Sequence, residues 1–244
     1  MTNRYIFRYA IILVIIVAVI LSAAATLLHP YQQKNENSEK MMNILIAADI
    51  QDVNTENVQQ LFEKYCSDML VIDSQGKVID ECTDTDKTSC KAFKISMKDE
   101  LYKKSKGEAY QLPLYIINNQ GNNIYVLPLQ GNGLWGQIWG YIALSSDFNT
   151  VIGAVFDHKS ETPGLGAEIA TPHFENQFKG KTIFQNGQFV SISVVKGGIA
   201  LLPDTQQQHS VDAISGGTIT STGVNDMIKN VLNLYLPYIS TLHE

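Results

Sequence analysis

A run of glycines and hydroxyl residues near the C-terminus, DAISGGTITS at residues 212–221, has the residue types for binding chemistry. It directly precedes an apolar pattern with helical spacing, so it should lie at the N-terminus of a helix. Backbone N–H groups there lack intrahelical partners and the helix dipole is positive, which favours an anion. Gly216 and Gly217 would let a bulky group approach the backbone. The segment predicts a phosphate site, although a Ser/Thr helix cap after a turn has the same pattern.

Two further segments have residues that could surround a ligand. ETPGLG at residues 161–166 follows a predicted strand, and its proline and glycines indicate a tight turn in which Glu161 and Thr162 can form hydrogen bonds. On its own it would be a surface turn. GNGLWGQIWGY at residues 131–141 places Leu134 and Trp135 in a glycine-rich turn. An aromatic face there could stack on a planar ligand, and a core tryptophan is the alternative.

Residues 212–218 resemble the flavinylation motif of the FMN-binding domain family, Asp-x-x-Ser/Thr-Gly-Ala-Thr. Asp212, Ser215, Gly216 and Thr218 match this motif, and Gly217 stands where the family usually has alanine. The resemblance implies a phosphoester between Thr218 and FMN, installed by a flavin transferase that uses FAD and a divalent metal. In this family a loop like 161–166 lines the flavin site. The implied FMN-binding residues are Leu134, Trp135, Glu161, Thr162, Gly164, Leu165, Ser215, Gly217, Thr220 and Ser221.

The Gly-x-Gly-Leu-Trp turn, an N-terminal apolar segment and the long region between them are similar to the C-subunit family of Na⁺-translocating NADH:quinone reductases. This resemblance implies an electron-carrying FMN subunit of a complex that oxidises NADH, reduces quinone and pumps Na⁺, with the other subunits as partners. The FMN subunit of Rnf-type ferredoxin:NAD oxidoreductases shares these flavin motifs and is the alternative. A membrane-anchored assembly module without redox function is a more distant one. Residues 131–136, GNGLWG, have the G-x-G-x-x-G spacing but lie between two predicted strands and do not open a helix. They are therefore no dinucleotide-binding fingerprint, and NADH should bind elsewhere in the complex.

The N-terminal region predicts a membrane anchor. Residues 9–28, YAIILVIIVAVILSAAATLL, have no charged side chain and could cross the ~30 Å hydrocarbon core of a bilayer as a helix. Arg4 and Arg8 precede this stretch and the next basic residue is Lys34. The positive-inside rule therefore places residues 1–8 in the cytoplasm and the main domain outside it. The family resemblance implies that this membrane is a bacterial inner membrane. A cleaved signal peptide is the alternative, because residues 22–25 are small.

Charge and cysteine content restrict the other partners. The formal net charge of -6 argues against nucleic acid, which needs a concentrated basic surface. Cys66, Cys82 and Cys90 form no C-x-x-C pair, so no metal site is predicted. If the domain is extracytoplasmic, Cys82 and Cys90 could form a disulfide, and two free thiols in a loop are the alternative.

The remaining patterns predict an α+β domain in which helices pack on an antiparallel sheet. We expect a linker at residues 29–52, an N-terminal part at 53–126 and the FMN-binding domain at 127–244. The predicted strands are 69–73, 77–80, 112–118, 123–128, 137–145, 151–158 and 188–195, and residues 82–104 are expected to be a loop or peripheral insertion. Helices are predicted near 58–65, in a short segment that begins at Pro172, and from about Gly223 to Pro237. In the short helix after Pro172, Phe174 and Phe178 are expected to point inward.

Overall fold

The computed structural model describes residues 3–82, 84 and 86–242 and divides into two compact units after Lys40. The first unit is helical and belongs to helix α1, which spans Asn3–Ala47. The most apolar window of α1 has a mean hydropathy of 3.1, and within the described ranges α1 is the one helix long and apolar enough to cross a membrane. Most of the predicted linker is helical too, since α1 continues past Pro30.

The second unit is built on an antiparallel sheet, as predicted, and this sheet has six strands. Its strand order is β2-β1-β3-β4-β5-β6. The strands are β1 (Cys66–Asp73), β2 (Val78–Cys82), β3 (Gln111–Asn119), β4 (Asn122–Asn132), β5 (Gln137–Leu144) and β6 (Val151–His158). The turn between β3 and β4 consists of Gln120 and Gly121, both with positive φ (53° and 85°). Two consecutive residues with positive φ form a turn whose twist matches that of the flanking antiparallel strands. This match explains why the sequence predicted the hairpin correctly.

Helices cover both faces of the sheet because side chains alternate along each strand. In β1, Leu70 and Ile72 face the core formed with the C-terminal helix, whereas Met69 and Val71 face the core formed with the end of α1 and with the helices at Val58–Tyr65 and Lys91–Lys94. The helices after α1 are α2 (Val58–Tyr65), α3 (Lys91–Lys94), α4 (Met97–Ser105), α5 (Pro172–Glu175), α6 (Asp204–Gln207) and α7 (Thr218–Thr241). Phe174 and Phe178 are buried, as predicted.

The C-terminal helix differs from its prediction at both ends. Helix α7 begins five residues before Gly223, at Thr218, and it continues past Pro237 to Thr241. Proline removes one helical hydrogen bond, but Tyr238 and Ile239 beyond it are buried in the core, and this packing maintains the helix.

Two other sequence predictions were wrong. The predicted strand at 188–195 is broken into β8 (Gln188–Phe189) and β9 (Ser193–Val195), because Ser191 between them has φ +64°. Strand β8 pairs with β7 (Phe184–Gln185), and β9 pairs in parallel with β10 (Ser210–Asp212). Residues 82–104, expected to be a loop or peripheral insertion, contain α3 and most of α4, whose N-terminus is capped by Ser96. Ala92 and Phe93 of α3 are buried in a core cluster, so the region is not peripheral either.

The structure joins Cys82 and Cys90 in a disulfide and leaves Cys66 as a buried free thiol. Replacing both bonded cysteines with serine should lower the free energy of unfolding by about 2–3 kcal/mol, the chain-entropy estimate for a loop closed over a separation of 8 residues. Urea denaturation of oxidised protein and variant measures this difference. Thiol labelling of unfolded, unreduced protein should modify Cys66 alone, and modification of all three cysteines would contradict the bond.

Asp147 stabilises the turn between β5 and β6. Burial raises its pKa, but hydrogen bonds to the carboxylate from Ser145 Oγ, Asn149 N–H, and Thr150 N–H and Oγ outweigh burial and lower the pKa to about 2. A lowered pKa contributes stability above the usual value of 3.8, and this contribution is lost as the pH falls towards 2. Asp147→Asn should abolish an acid-dependent loss on the order of 1 kcal/mol, a figure reduced for solvent screening. Urea midpoints at pH 5 and 2.5 test this, and equal pH dependence in both proteins would refute it.

Candidate functional site

Thr218 is the first residue of α7, and its side chain is exposed. Gly217 is the N-cap residue, and its carbonyl accepts a hydrogen bond from Ser221 N–H at 2.8 Å. The N–H groups of residues 218–220 precede this bond, so the first turn presents free donors and the positive end of the helix dipole. A hydroxyl and an anion-binding helix end therefore occupy the same place.

The turn before α7 is constrained by a side-chain contact with the 161–166 loop and by a hydrogen bond from its own backbone. Gly216 has φ +76°, a left-handed conformation that favours glycine, and it lies against the side chain of Leu165, since a Cβ atom there would be 2.6 Å from Leu165 Cδ2. Ser221, which is buried, accepts a hydrogen bond from Ile214 N–H at 3.0 Å through its hydroxyl. The approach of the chain to Thr218 is thus determined by local hydrogen bonding and by contact with the 161–166 loop.

A cavity of about 400 Å³ lies beside Thr218. The turn after β4, the loop after β6 and the start of α7 form it, which brings together the three segments singled out in the sequence. Its lining consists of Leu134, Trp135, Glu161, Thr162, Leu165, Gly166, Gly216, Gly217, Thr218, Ile219 and Thr220.

The cavity has an apolar rim that is open to solvent. Trp135 and Ile219 are 65% and 59% exposed, and Leu134 and Leu165 are also exposed. Large apolar side chains grouped around a cavity commonly mark a binding site. The site can accommodate a molecule with a flat apolar ring at one end and a phosphate at the other, and FMN has these two parts.

Glu161 is the carboxylate in this lining, and it is buried. Its Oε1 accepts a hydrogen bond from Trp135 N–H at 2.8 Å, and its Oε2 accepts one from the Thr220 hydroxyl at 2.6 Å. Both carboxylate oxygens are therefore engaged by the protein itself.

Comparison with known proteins agrees with this geometry. Residues 133–233 match the family model described as FMN-binding domain, a range that contains the whole cavity lining. The chain is 34% identical over 215 residues to the C-subunit of the Na⁺-translocating NADH-quinone reductase of Haemophilus ducreyi, and the match covers 84% of this chain and 80% of that protein. The chain belongs to this C-subunit family.

Solved structures of the C-subunit family have the same fold. The crystal structure of the family member from Parabacteroides distasonis is 35% identical and superimposes with a TM-score of 0.74, over 87% of this chain and 97% of that one. NqrC from Shewanella oneidensis is 27% identical with a TM-score of 0.66, over 86% and 99% of the two chains. The similarity therefore extends beyond the cavity to nearly the whole of both solved chains.

Some of the predicted site residues, from the flavinylation motif and from the predicted FMN-binding set, lie outside the cavity. Asp212, Ser215 and Gly164 line a separate cavity next to it. Asp212 Oδ1 accepts a hydrogen bond from Ile199 N–H at 2.6 Å, so this side chain connects the motif to the loop before α6. Ser221 is buried beneath the Ile214 turn.

Two lining residues, Gly166 and Ile219, were not named individually as FMN-binding residues, although Gly166 belongs to the 161–166 loop that was predicted to line the site. Gly166 ends the ETPGLG segment, so its sequence neighbours could have indicated it. Ile219 is an exposed apolar residue within a hydroxyl-rich run, and its exposure depends on where α7 begins.

Proposed function

We propose that this chain is the FMN-carrying C-subunit of a Na⁺-translocating NADH:quinone reductase, and that FMN is attached to it through a phosphoester with Thr218. The observation that carries this proposal is the exposed Thr218 hydroxyl at the N-terminus of α7, next to an open cavity with an apolar rim. Family membership and the matched FMN-binding domain support it.

The chain's own residues would hold and orient the cofactor. The first turn of α7 would accept the phosphate, and Trp135, Leu134, Leu165 and Ile219 would contact the ring. Thr162, in the same lining, could hydrogen-bond a polar group of the ligand. FMN supplies the electron-transfer chemistry that side chains cannot. Because the link would be at the phosphate, the ring would remain chemically unmodified.

The rim explains how such a protein could serve as a relay. Trp135 and Ile219 leave the cavity open to solvent, so a redox partner could approach the ring without a conformational change. Substrate-level chemistry, in which NADH is oxidised, quinone is reduced and Na⁺ is moved, would belong to the assembled complex. This subunit would pass electrons between two neighbouring centres.

The location that fits this role is a bacterial inner membrane. Residues 9–28 would span it, residues 1–8 would lie in the cytoplasm and the FMN-binding part, 127–244, would lie in the periplasm. The Cys82–Cys90 disulfide supports an oxidising compartment for the domain. A flavin transferase would therefore have to act there.

Purification of the tagged full chain from its own membranes tests the proposal. We expect the band of the chain on a denaturing gel to fluoresce under ultraviolet light, and we expect NADH-oxidising and quinone-reactive subunits to copurify. Copurification with a ferredoxin-oxidising assembly would instead assign the chain to an Rnf-type complex. A non-fluorescent chain in its native complex would favour an assembly module without redox function.

A further inference from the structure

We infer that Glu161 is a positioning residue, which holds Trp135 and the first turn of α7 in fixed relation before any ligand arrives. The hydrogen bonds from Trp135 N–H (2.8 Å) and the Thr220 hydroxyl (2.6 Å) leave neither carboxylate oxygen uncommitted. The purpose of this arrangement rests on the proposed function, whereas the arrangement itself is independent of FMN.

The fold leaves room for this carboxylate only because two glycines surround it. A Cβ atom at Gly133 would lie 2.5 Å from Glu161 Oε1, and one at Gly166 would overlap both Glu161 Oε2 and Thr220 Oγ1. Glycine at these positions is therefore a steric requirement of the carboxylate. Glu161 thus connects three segments that are far apart in the chain: the turn after β4, its own loop and helix α7.

The backbone of Trp135 is held on both sides by consecutive residues of the same loop. Glu161 accepts its N–H, and the Ser160 hydroxyl donates to its carbonyl oxygen at 3.0 Å. The backbone of Glu161 is itself tied to the end of β6, since its N–H donates to His158 Nδ1 at 3.3 Å. The indole of Trp135 is 65% exposed, yet the peptide that carries it is fixed.

Burial protects the two hydrogen bonds of the Glu161 carboxylate from competition with water. Glu161 is 5% exposed and Thr220 is 1% exposed, so water cannot easily replace a lost partner. Removing the carboxylate would leave the Trp135 N–H and the Thr220 hydroxyl without an acceptor in a site with little solvent, and the turn would rearrange to satisfy them. Preorganisation of this kind lowers the ordering cost of ligand binding.

Fluorine NMR of the flavin-free full chain in detergent, labelled with 5-fluorotryptophan, tests this inference. The chain contains two tryptophans, Trp135 and Trp139, so two resonances are expected. In Glu161→Ala the Trp135 resonance should shift and broaden or split, while that of Trp139, which lies within β5, should stay in place as an internal reference. In Glu161→Gln the amide can accept from Trp135 and donate to Thr220, so the spectrum should return close to wild type.

Glu100→Ala is the matched control. Glu100 is also a buried carboxylate with two partners, Gln111 N–H at 2.8 Å and Lys103 Nζ at 2.6 Å, but it lies on α4 outside the cavity lining. Its loss should destabilise the fold without moving the Trp135 resonance. If Glu161→Ala does not fold, Thr220→Val removes one of the two bonds with little change in shape and should produce a smaller Trp135 shift.

An unchanged Trp135 resonance in folded Glu161→Ala would overturn the inference. So would a change in Glu161→Gln as large as in Glu161→Ala, because the two hydrogen bonds would then not be what positions the tryptophan. Both readouts come from protein without flavin. They would therefore stand even if wild-type protein failed to acquire FMN, an outcome that would overturn the proposed function alone.

Discussion

Thr218→Ala is expected to abolish covalent attachment of FMN completely. Alanine lacks the only oxygen of this side chain that could form the phosphoester. Of the two other hydroxyls in the described cavity lining, Thr220 is buried and engaged by Glu161, and Thr162 lies on the 161–166 loop and not at the N-terminus of α7. The fold should be little affected, because Thr218 is exposed and a surface substitution usually changes stability by about 0.5 kcal/mol or less. Intact-mass spectrometry after coexpression with a flavin transferase measures the effect.

The wild-type chain should gain about 438 Da, the mass of FMN less water, located at Thr218 by fragmentation. Thr222→Ala is the matched control: Thr222 is an exposed threonine on the next turn of α7, and its hydroxyl donates to Thr218 O at 3.0 Å. It should keep the adduct, and Thr218→Ser, which keeps an oxygen, tests whether a hydroxyl suffices. An adduct that persists in Thr218→Ala would refute attachment at this residue.

Gly76→Ala is expected to reduce the free energy of unfolding by about 2–5 kcal/mol. Gly76 lies in the turn between β1 and β2 with φ +83°, and a Cβ atom there would overlap Tyr238 N and lie 2.5 Å from Pro237 C. Both groups are helix backbone and cannot move aside as a flexible side chain could. The cost combines left-handed strain, about 1–2 kcal/mol, with overpacking, typically 1–3 kcal/mol.

Gly121→Ala separates these two contributions. Gly121 has nearly the same φ, +85°, but a Cβ atom there would meet no heavy atom within 4 Å. It should therefore cost only the strain, about 1–2 kcal/mol. Urea denaturation of the three proteins measures both changes, and equal losses in the two variants would show that the contact between the β1–β2 turn and α7 contributes nothing.

The sheet was predictable because its signals are local. Side chains in β3 and β4 alternate between two buried faces, and the Gln120–Gly121 turn can adopt few conformations other than a hairpin. The break in the predicted strand at 188–195 was not predictable in this way. The alternation of Phe189, Val190 and Ile192 is typical of a strand, and the left-handed conformation of Ser191 depends on its neighbours in space.

The start of α7 was not predicted because the intrinsic helix propensity of its first residues and their tertiary packing favour different conformations. Thr218, Ile219 and Thr220 are β-branched, and such residues favour strands or loops over helices. Thr220 and Ser221 are nevertheless buried by tertiary contacts, and these contacts stabilise the helical conformation of the first turn. The hydrogen bonds of Glu161 were also outside the reach of sequence reasoning, since the family resemblance places Trp135, Glu161 and Thr220 in one site but does not indicate which of them bond to one another.

If FMN is attached at Thr218 as proposed, the way in which α7 presents this residue implies an order of maturation for the chain. The helix end and the cavity beside it exist only once α7 has packed, through residues such as Val224 and Ile228, on the sheet. The hydroxyl then faces solvent, and no part of the packed core has to open for it to be reached. A flavin transferase would thus find its complete target on a folded domain and only fragments of it on a nascent chain, so folding would come first and flavin loading second.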